Sequence, residues 1–380
     1  MSFDNSQKIG ILGGGQLGKM LIQKALDLDL DISVLDNDPD CPCKSIATNF
    51  VKGDISNFQA VYDFGENLDV LTIEIENVNI EALKKLESEG KKVFPQPHIV
   101  ENIKNKCTQK QFFKDHNIPT SEFILVSGLK EIAENKEFLP AVNKIGVGGY
   151  DGRGVQTIRT EADIVKGFEA AGILEKFVDF EKELAVIIAR NSDGEIKTFP
   201  VVEMVFHPVA NLVEYLFSPA AISVDIAEKA NKIAIQTIEA YGLVGLLAVE
   251  MFLTKSGEIL VNEVAPRPHN SGHHTQKANL VSQYDQHWRA ILNLPLGDTK
   301  DISMAAMVNI LGEENHEGIA QVEGLEKILG QENVFPFFYG KKKTKPFRKM
   351  GHVSILANDF EKLKEKINFV QENLRVVSKK

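Results

Sequence analysis

Two short apolar runs, residues 244–249 and 259–261, each hand over to polar chemistry at what reads as a strand end. The first closes on Glu250. The second delivers Asn262 and Glu263 together, and a turn at Lys255-Ser256-Gly257 joins the two runs. A hairpin of this kind sets two carboxylates and an amide side by side. That donor set suits Mg²⁺, a hard cation that takes oxygen ligands and commonly shares them with nucleotide phosphates. The chain continues Ala265-Pro266-Arg267-Pro268-His269-Asn270-Ser271-Gly272-His273, which is rich in donors and poor in apolar side chains. Such a loop beside a cation suits an anionic substrate.

At 380 residues the chain exceeds one ordinary core, so two or three domains are expected. A net charge of -10 excludes bulk binding to nucleic acid or to an anionic membrane. Cys41, Cys43 and Cys107 cannot form a disulfide framework, and their odd number fits a reducing cytosol. Cys41-Pro42-Cys43 has no second cysteine pair to complete a zinc site. No apolar run is long enough to cross a bilayer, and Met1-Ser2-Phe3-Asp4 lacks the basic and apolar regions of a signal peptide. A cytoplasmic enzyme is expected.

The N-terminal part reads as a nucleotide-binding α/β domain. A buried strand over 8–12 leads into Gly13-Gly14-Gly15-Gln16-Leu17-Gly18. A helix follows with Leu17, Leu21, Ile22 and Ala25 on one face, then a strand over 32–35 ending at Asp36. This matches G-x-G-x-x-G with an acid about 20 positions on, where a helix N-terminus favours an anion. The motif admits a dinucleotide, or a Rossmann-like domain that binds something else or nothing. A strand over 70–75 runs into Glu74-Ile75-Glu76, and alternation puts both acids on one face. They read either as a solvated strand end or as carboxylates at the ligand-bearing edge of a parallel sheet.

A second unit starts near Lys104. Residues 106–113 read as a capped helix, and 140–144 as a strand ending at Lys144. The glycine-rich stretch that follows, Gly146-Val147-Gly148-Gly149-Tyr150-Asp151-Gly152-Arg153-Gly154, can lay backbone N–H groups on phosphates, with Lys144 and Arg153 adding charge. It lacks the Gly-Lys-Ser/Thr ending of a P-loop. Glu175, before Lys176-Phe177-Val178, reads as an acceptor for an adenine amino group or as a surface charge. Strands over 304–311 and 353–357 and a helix over 360–375 suggest a small C-terminal unit folding back on the cleft.

Taken in order, Lys106, Lys144, the Gly-Gly-Tyr-Asp-Gly-Arg-Gly loop, Glu175 to Val178, Glu183, Glu250 and Asn262-Glu263 resemble the ATP-grasp fold. The Gly-Gly-Gly-Gln-Leu-Gly start, the Ala-Pro-Arg-Pro-His-Asn-Ser-Gly-His loop and Arg348-Lys349-Met350-Gly351-His352 are similar to the 5-(carboxyamino)imidazole ribonucleotide synthases, ATP-dependent carboxylases of purine biosynthesis. The likeness covers residues 9–352. It implies an α/β and α+β chain in three parts: a Rossmann-like domain over 1–104, a two-part ATP-grasp domain over 105–297 with its lid near 120–180, and a C-terminal domain over 298–380.

The resemblance also implies roles. Lys106 and Lys144 would hold ATP phosphates under a lid of Gly149, Tyr150, Asp151, Gly152, Arg153, Gly154 and Val155. Glu175, Lys176, Phe177 and Val178 would face adenine. Glu183 would take the ribose hydroxyls, with His207 also in the ATP site. Glu250 and Glu263 would bind Mg²⁺ beside Asn262. Glu76, Tyr150, Asp151, Arg153, Arg267 and His273 would surround aminoimidazole ribonucleotide and bicarbonate, with Asp151, Arg153, Arg267 and His273 as catalytic groups. Gln16, Leu17, Lys341 and Arg348 would line the ribonucleotide end, the last two on its 5′-phosphate. Where the family has Arg-Pro-Gly-Arg, this chain reads Lys345-Pro346-Phe347-Arg348. ATP and Mg²⁺ are the implied cofactors, without biotin, and a homodimer without nucleic-acid or membrane partners is implied.

Rival readings are a formate-using glycinamide ribonucleotide transformylase or a biotin-dependent carboxylase on the same scaffold, a nicotinamide dehydrogenase, and a non-catalytic nucleotide-binding regulator. His269, His273 and His274 are too irregularly spaced for a persuasive zinc site. The basic run from Lys341 to Lys349 suits a single phosphate better than nucleic acid in so acidic a chain.

Overall fold

A computed structural model describes residues 4–149, 154–207 and 212–379. Tyr150, Asp151, Gly152 and Arg153, which carry several of the expected roles, lie outside the described residues. Five parallel strands form the first sheet, β1 (Ile9–Leu12), β2 (Ile32–Asp36), β3 (Asn49–Lys52), β4 (Val70–Ile73) and β5 (Lys92–Phe94), in the order β3-β2-β1-β4-β5. β1 and β4 are buried along their whole length, as a parallel sheet covered on both faces requires. The helix Gln16–Ala25 follows β1 and presents Leu17, Met20, Leu21 and Ile22 to this core.

A helix, Lys106–Asp115, then leads to an antiparallel four-stranded sheet of β6 (Phe123–Val126), β7 (Ala141–Ile145), β8 (Val155–Ile158) and β9 (Gly172–Lys176), ordered β6-β9-β7-β8. The largest sheet begins with β10 (Phe180–Arg190), β11 (Ile196–Thr198), β12 (Val202–Phe206), β13 (Val213–Ser218), β14 (Gly245–Thr254) and β15 (Ile259–Ala265). The C-terminal strands are β16 (Met304–Leu311), β17 (Gly318–Glu323), β18 (Val334–Phe338), β19 (Lys343–Thr344), β20 (Lys349–Ala357) and β21 (Arg375–Ser378). The nine-stranded sheet runs β15-β14-β10-β12-β13-β16-β20-β18, with β11 on β10. The last eighty residues therefore extend the central sheet through β13 and β16, while β19-β17-β21 form a small sheet of their own.

The main core lies under β10, β14 and β15. Leu184, Val186, Val249, Met251, Val261 and Val264 pack there against Ala230, Ala234 and Ile238 of the helix Val224–Tyr241. The helix Gln283–Ile291 fastens the N-terminal sheet to this body. Trp288 is fully buried and its indole N–H donates to the Leu21 carbonyl at 2.8 Å. His287 Nε2 lies 2.9 Å from the Thr72 hydroxyl on β4.

Burial lowers the pKa of His287 to about 3, and His352 to about 3 in the same way. The unfolded chain takes up protons near pH ~6.5 that the folded chain refuses, so stability present above that pH is lost as pH falls toward the depressed values. The urea midpoint is expected to drop steadily between about pH 6.5 and about pH 4.5. His287→Gln should make that drop shallower, and an unchanged slope would contradict the buried neutral imidazole.

Candidate active site

β14 and β15 form the expected hairpin, but the acids sit inside the strands rather than at their ends. The pairing passes from Met251 opposite Val261 to Glu250 opposite Glu263, so Asn262 is an extra residue in β15. This is a β-bulge. In a regular strand Asn262 and Glu263 would face opposite ways. Here both reach the cleft, while Val261 and Val264 on either side stay in the core.

Lys106 opens its helix, where the Asn105 side chain caps the turn by accepting from the Cys107 N–H. Its ammonium pairs with Glu263. Lys144, on β7, donates to Asn262 Oδ1 at 2.9 Å and pairs with Glu175 Oε2 at 2.5 Å. The helix and the C-terminal end of β7 thus converge on the bulge. Glu175 is 3% exposed, so it is not a surface charge. Burial would raise its pKa, but the Lys144 and Lys110 ammoniums outweigh that and hold the carboxyl well below the usual range. Ser121 Oγ donates to Glu175 Oε1 at 2.6 Å.

Enclosure in the cleft raises the Glu250 carboxyl, and the nearby charges of Glu263 and Glu183 push it further up. Lys106 holds Glu263 low. Burial lifts Glu183 to about 7. Three acids gathered with too little positive charge make a place for a cation. Among the described residues no group of three His, Cys, Asp or Glu side chains could hold a metal by itself. Glu250, Glu263 and the Asn262 amide offer hard oxygen donors that a ligand's phosphate oxygens would complete, which is how Mg²⁺ is usually held.

On the other wall, Arg267 Nε pairs with Glu76 Oε1 at 2.9 Å, joining two of the expected residues. His269 Nε2 lies 3.4 Å from Glu250 Oε1. His273 is 1% exposed; its Nδ1 lies 2.8 Å from the Tyr284 hydroxyl, and its ring centroid is 4.7 Å from that of His352. Burial first, then the crowding of neighbouring imidazoles and Lys349, lowers the His273 pKa and keeps it neutral. Lys349, at the start of β20, is close enough for its charge to bear on both Glu250 and His273.

The glycine loop after β1 holds a surprise for the dinucleotide reading. Glu74, 8% exposed, turns back so that its carboxylate accepts from the Leu17 and Gly18 N–H groups at 3.1 and 3.2 Å. Gly14 N–H donates to Asp36 Oδ2 at 2.6 Å. A Cβ on Gly13, whose φ is +97°, would come within 2.7 Å of Glu74 Cγ. The glycines make room for an internal carboxylate, which takes the position where a pyrophosphate would bind. β4 stops at Ile73, so Glu74 and Glu76 do not share a face: one caps the helix and the other meets Arg267.

The remaining expected residues fall as follows. Leu17 lies at this helix start with its N–H spent on Glu74, and Gln16 precedes it at the helix N-terminus. Lys19, one turn on, donates to the Phe338 carbonyl at 3.1 Å and ties this helix to the turn that bears Lys341. Lys341 Nζ donates to the Lys349 carbonyl at 2.8 Å, and Arg348 Nη1 to the Lys343 carbonyl at 2.7 Å. Phe347 takes a left-handed φ of +59°, where the family's glycine is at ease. Its N–H donates to the Gly312 carbonyl at 2.8 Å and its ring meets the His207 ring edge-on at 5.8 Å. Gly149 and Gly154 stand on either side of residues 150–153 in sequence, and Val155 pairs with Lys144 where β7 and β8 run antiparallel. Lys176 Nζ donates to the Phe138 carbonyl at 3.1 Å, Phe177 N–H to the Pro140 carbonyl at 3.0 Å, and Val178 is half-buried beside them. Lys110 and Tyr284 were not singled out from sequence. Lys110 sits four residues after Lys106 on one helix face, a spacing that could have found it; Tyr284 carries no such signal.

Glu250→Gln removes one of three crowded carboxylates. The melting temperature of the metal-free protein is expected to rise at about pH 8, because like-charge repulsion and desolvation are both relieved. A fall in calorimetry would contradict the crowding.

Three segments match known domains: the ribonucleotide synthetase preATP-grasp domain over 6–104, the ATP-grasp domain over 111–284, and the phosphoribosylaminoimidazole carboxylase C-terminal domain over 305–366. The chain is 37% identical to the N5-carboxyaminoimidazole ribonucleotide synthase of Bacillus subtilis, covering 92% of this chain and 91% of that one. It spans 66% of the length of the plant and yeast phosphoribosylaminoimidazole carboxylases it matches. Its fold is similar to the crystal structure of N5-carboxyaminoimidazole ribonucleotide synthetase from Thermotoga maritima, with a TM-score of 0.92, 42% identity and coverage of 98% and 100% of the two chains. It is also similar to the Aspergillus clavatus N5-carboxyaminoimidazole synthase in complex with ADP and 5-aminoimidazole ribonucleotide, with a TM-score of 0.88, 31% identity and coverage of 97% and 98%.

Proposed function

We infer the chemistry of this chain from its family: it belongs to the N5-carboxyaminoimidazole ribonucleotide synthases of the ATP-grasp fold. Its reaction is the ATP- and bicarbonate-dependent carboxylation of the exocyclic amine of 5-aminoimidazole ribonucleotide, a step of purine biosynthesis. The observation that carries this reading is the convergence of Lys106 and Lys144 on the bulged Asn262-Glu263 pair opposite Glu250. Two cations for phosphates and two carboxylates for a metal stand together, as phosphoryl transfer needs.

In this proposal ATP lies between the two sheets that meet there. Its phosphates take Lys106 and Lys144 from their protein carboxylates, under the loop of residues 149–155. Glu175 to Val178 line the adenine, Glu183 faces the ribose, and His207 stands at the edge of the same site. Glu250 and Glu263 would hold Mg²⁺ with Asn262 beside them. When bound, the metal neutralises charge on the phosphoryl oxygens. Glu76, Arg267 and His273, together with Tyr150, Asp151 and Arg153, surround the aminoimidazole and bicarbonate. Lys341 and Arg348 hold the 5′-phosphate, with Gln16 and the Leu17 side chain lining that end. The three regions 1–104, 105–297 and 298–380 divide these tasks. We also propose a homodimer in the cytoplasm; the free thiols of Cys41, Cys43 and Cys107 suit a reducing compartment. Among the described residues no helix is long and apolar enough to cross a membrane.

The steps balance as follows. A bicarbonate oxygen bonds to the γ-phosphorus, and the bond to the ADP oxygen breaks, leaving carboxyphosphate. The amine nitrogen then bonds to the carboxyl carbon, phosphate leaves, and the amine proton passes to a base. His273, kept neutral by burial, and Asp151 are the candidates for that proton. Carboxyphosphate must be kept from water, which the glycine-rich loop would do by closing.

ADP release by the purified protein with Mg²⁺ and ATP tests the reading. ADP formation is expected to require the ribonucleotide and to rise with bicarbonate. ADP formation indifferent to both would point to another ATP-grasp substrate. A charge-assisted hydrogen bond contributes roughly 1.5–3 kcal/mol, so Lys144→Ala should weaken ATP use by about 10- to 150-fold. Unchanged apparent affinity and rate would remove Lys144 from the phosphate site.

A further inference from the structure

Lys110 lies one helical turn beyond Lys106 and has no place in the roles above. It is a lysine with 1% exposure, so its ammonium is withdrawn from water and every donor must find a partner. The partners come from three separate parts of the chain. Nζ donates to Thr120 Oγ1 at 2.6 Å and to Ser121 Oγ at 3.3 Å, in the segment that enters β6. It approaches the Val261 carbonyl at 3.4 Å, directly before the bulge residue Asn262. Its ion-pair partner is Glu175 at the end of β9. The Thr120 hydroxyl in turn donates to the Val261 carbonyl at 2.6 Å, and the Ser121 hydroxyl donates to Glu175 Oε1 at 2.6 Å, so the network is closed.

Glu175 has a second cation, Lys144, which also holds Asn262. If nucleotide phosphates take Lys144, Lys110 is the cation left paired with Glu175 among the described residues, with the Ser121 hydroxyl beside it. We propose that Lys110 is a positioning residue: it is the standing counter-ion of Glu175, and by satisfying that carboxylate it releases Lys144 to the phosphates while tying β9 to the Asn262-Glu263 strand. This rests on the nucleotide-binding reading above. Lys110 itself touches no substrate; it acts through Glu175, Lys144 and the Val261 carbonyl. Removing it should leave Glu175 to compete with phosphate for Lys144.

The test compares the full-length wild type with Lys110→Met, Glu175→Gln and the double variant, by calorimetric titration with MgADP and by steady-state ADP formation. Lys110→Met should lose about tenfold to a hundredfold in MgADP affinity, with KM for ATP rising in step and KM for the ribonucleotide nearly unchanged. Adding Glu175→Gln should restore most of that loss, since a neutral amide no longer holds Lys144 as an ion pair while its oxygen can still accept from the adenine amino group; a merely structural defect would not be repaired this way. If Lys110→Met does not fold alone, the comparison passes to the double variant against Glu175→Gln, and the proposal requires equal MgADP affinity for those two. Wild-type affinity in Lys110→Met, or a double variant weaker than Glu175→Gln, would overturn it. Failure of the wild type itself to bind MgADP would instead refute the nucleotide reading.

Discussion

Lys106, Lys110 and Lys144 face Glu175, Glu250 and Glu263 where the four-stranded sheet, the nine-stranded sheet and the helix Lys106–Asp115 meet. The rest of the structure can be understood as the means of holding these charges close without neutralising them all. Lys106 and Lys144 each have a partner that a ligand could displace: Glu263 for the first, Asn262 and Glu175 for the second. Glu250 is enclosed in the cleft beside Glu263 and Glu183, and its carboxyl rises accordingly. A site in this state is poised for a polyanion that brings a divalent cation, because phosphates would satisfy the lysines and the metal would satisfy the acids.

Geometry makes that arrangement possible at two places. The bulge at Asn262 turns two neighbouring side chains to one face of β15 while Val261 and Val264 stay in the core. The Glu74 carboxylate fills the anion position at the start of the helix Gln16–Ala25. The N-terminal sheet therefore keeps the outline of a dinucleotide domain but has satisfied its phosphate-binding turn internally. Its helix is left to present Gln16 and, through Lys19, to meet the turn bearing Lys341.

Much of this was legible in the sequence. The apolar runs placed β1, β2, β14, β15, β16 and β20, because a strand buried on both faces must be apolar along its length. The pairing of Glu250 with Glu263, the approach of Lys106 and Lys144, and the meeting of Glu76 with Arg267 bring together residues expected to act together. What was not legible depends on tertiary contacts. Alternation put Glu74 and Glu76 on one face, but the strand ends at Ile73 and the backbone bends. The acids of the hairpin read as strand ends because a bulge leaves no compositional mark. Glu175 taken alone reads more readily as a surface charge, and only the packing of Lys110 and Lys144 against it shows a buried ion pair. Lys110 itself reads as an ordinary helix lysine until its neighbours are known.

The central claim is that the charge cluster passes the γ-phosphoryl of ATP to bicarbonate. Turnover with bicarbonate labelled in its oxygens by ¹⁸O measures this most directly, with mass analysis of the inorganic phosphate released. The account predicts that one labelled oxygen appears in phosphate for each ribonucleotide carboxylated, because the oxygen that attacks phosphorus stays with it. Unlabelled phosphate at full turnover would mean that the phosphoryl group goes elsewhere, and the roles assigned around Glu250 and Glu263 would have to be redrawn.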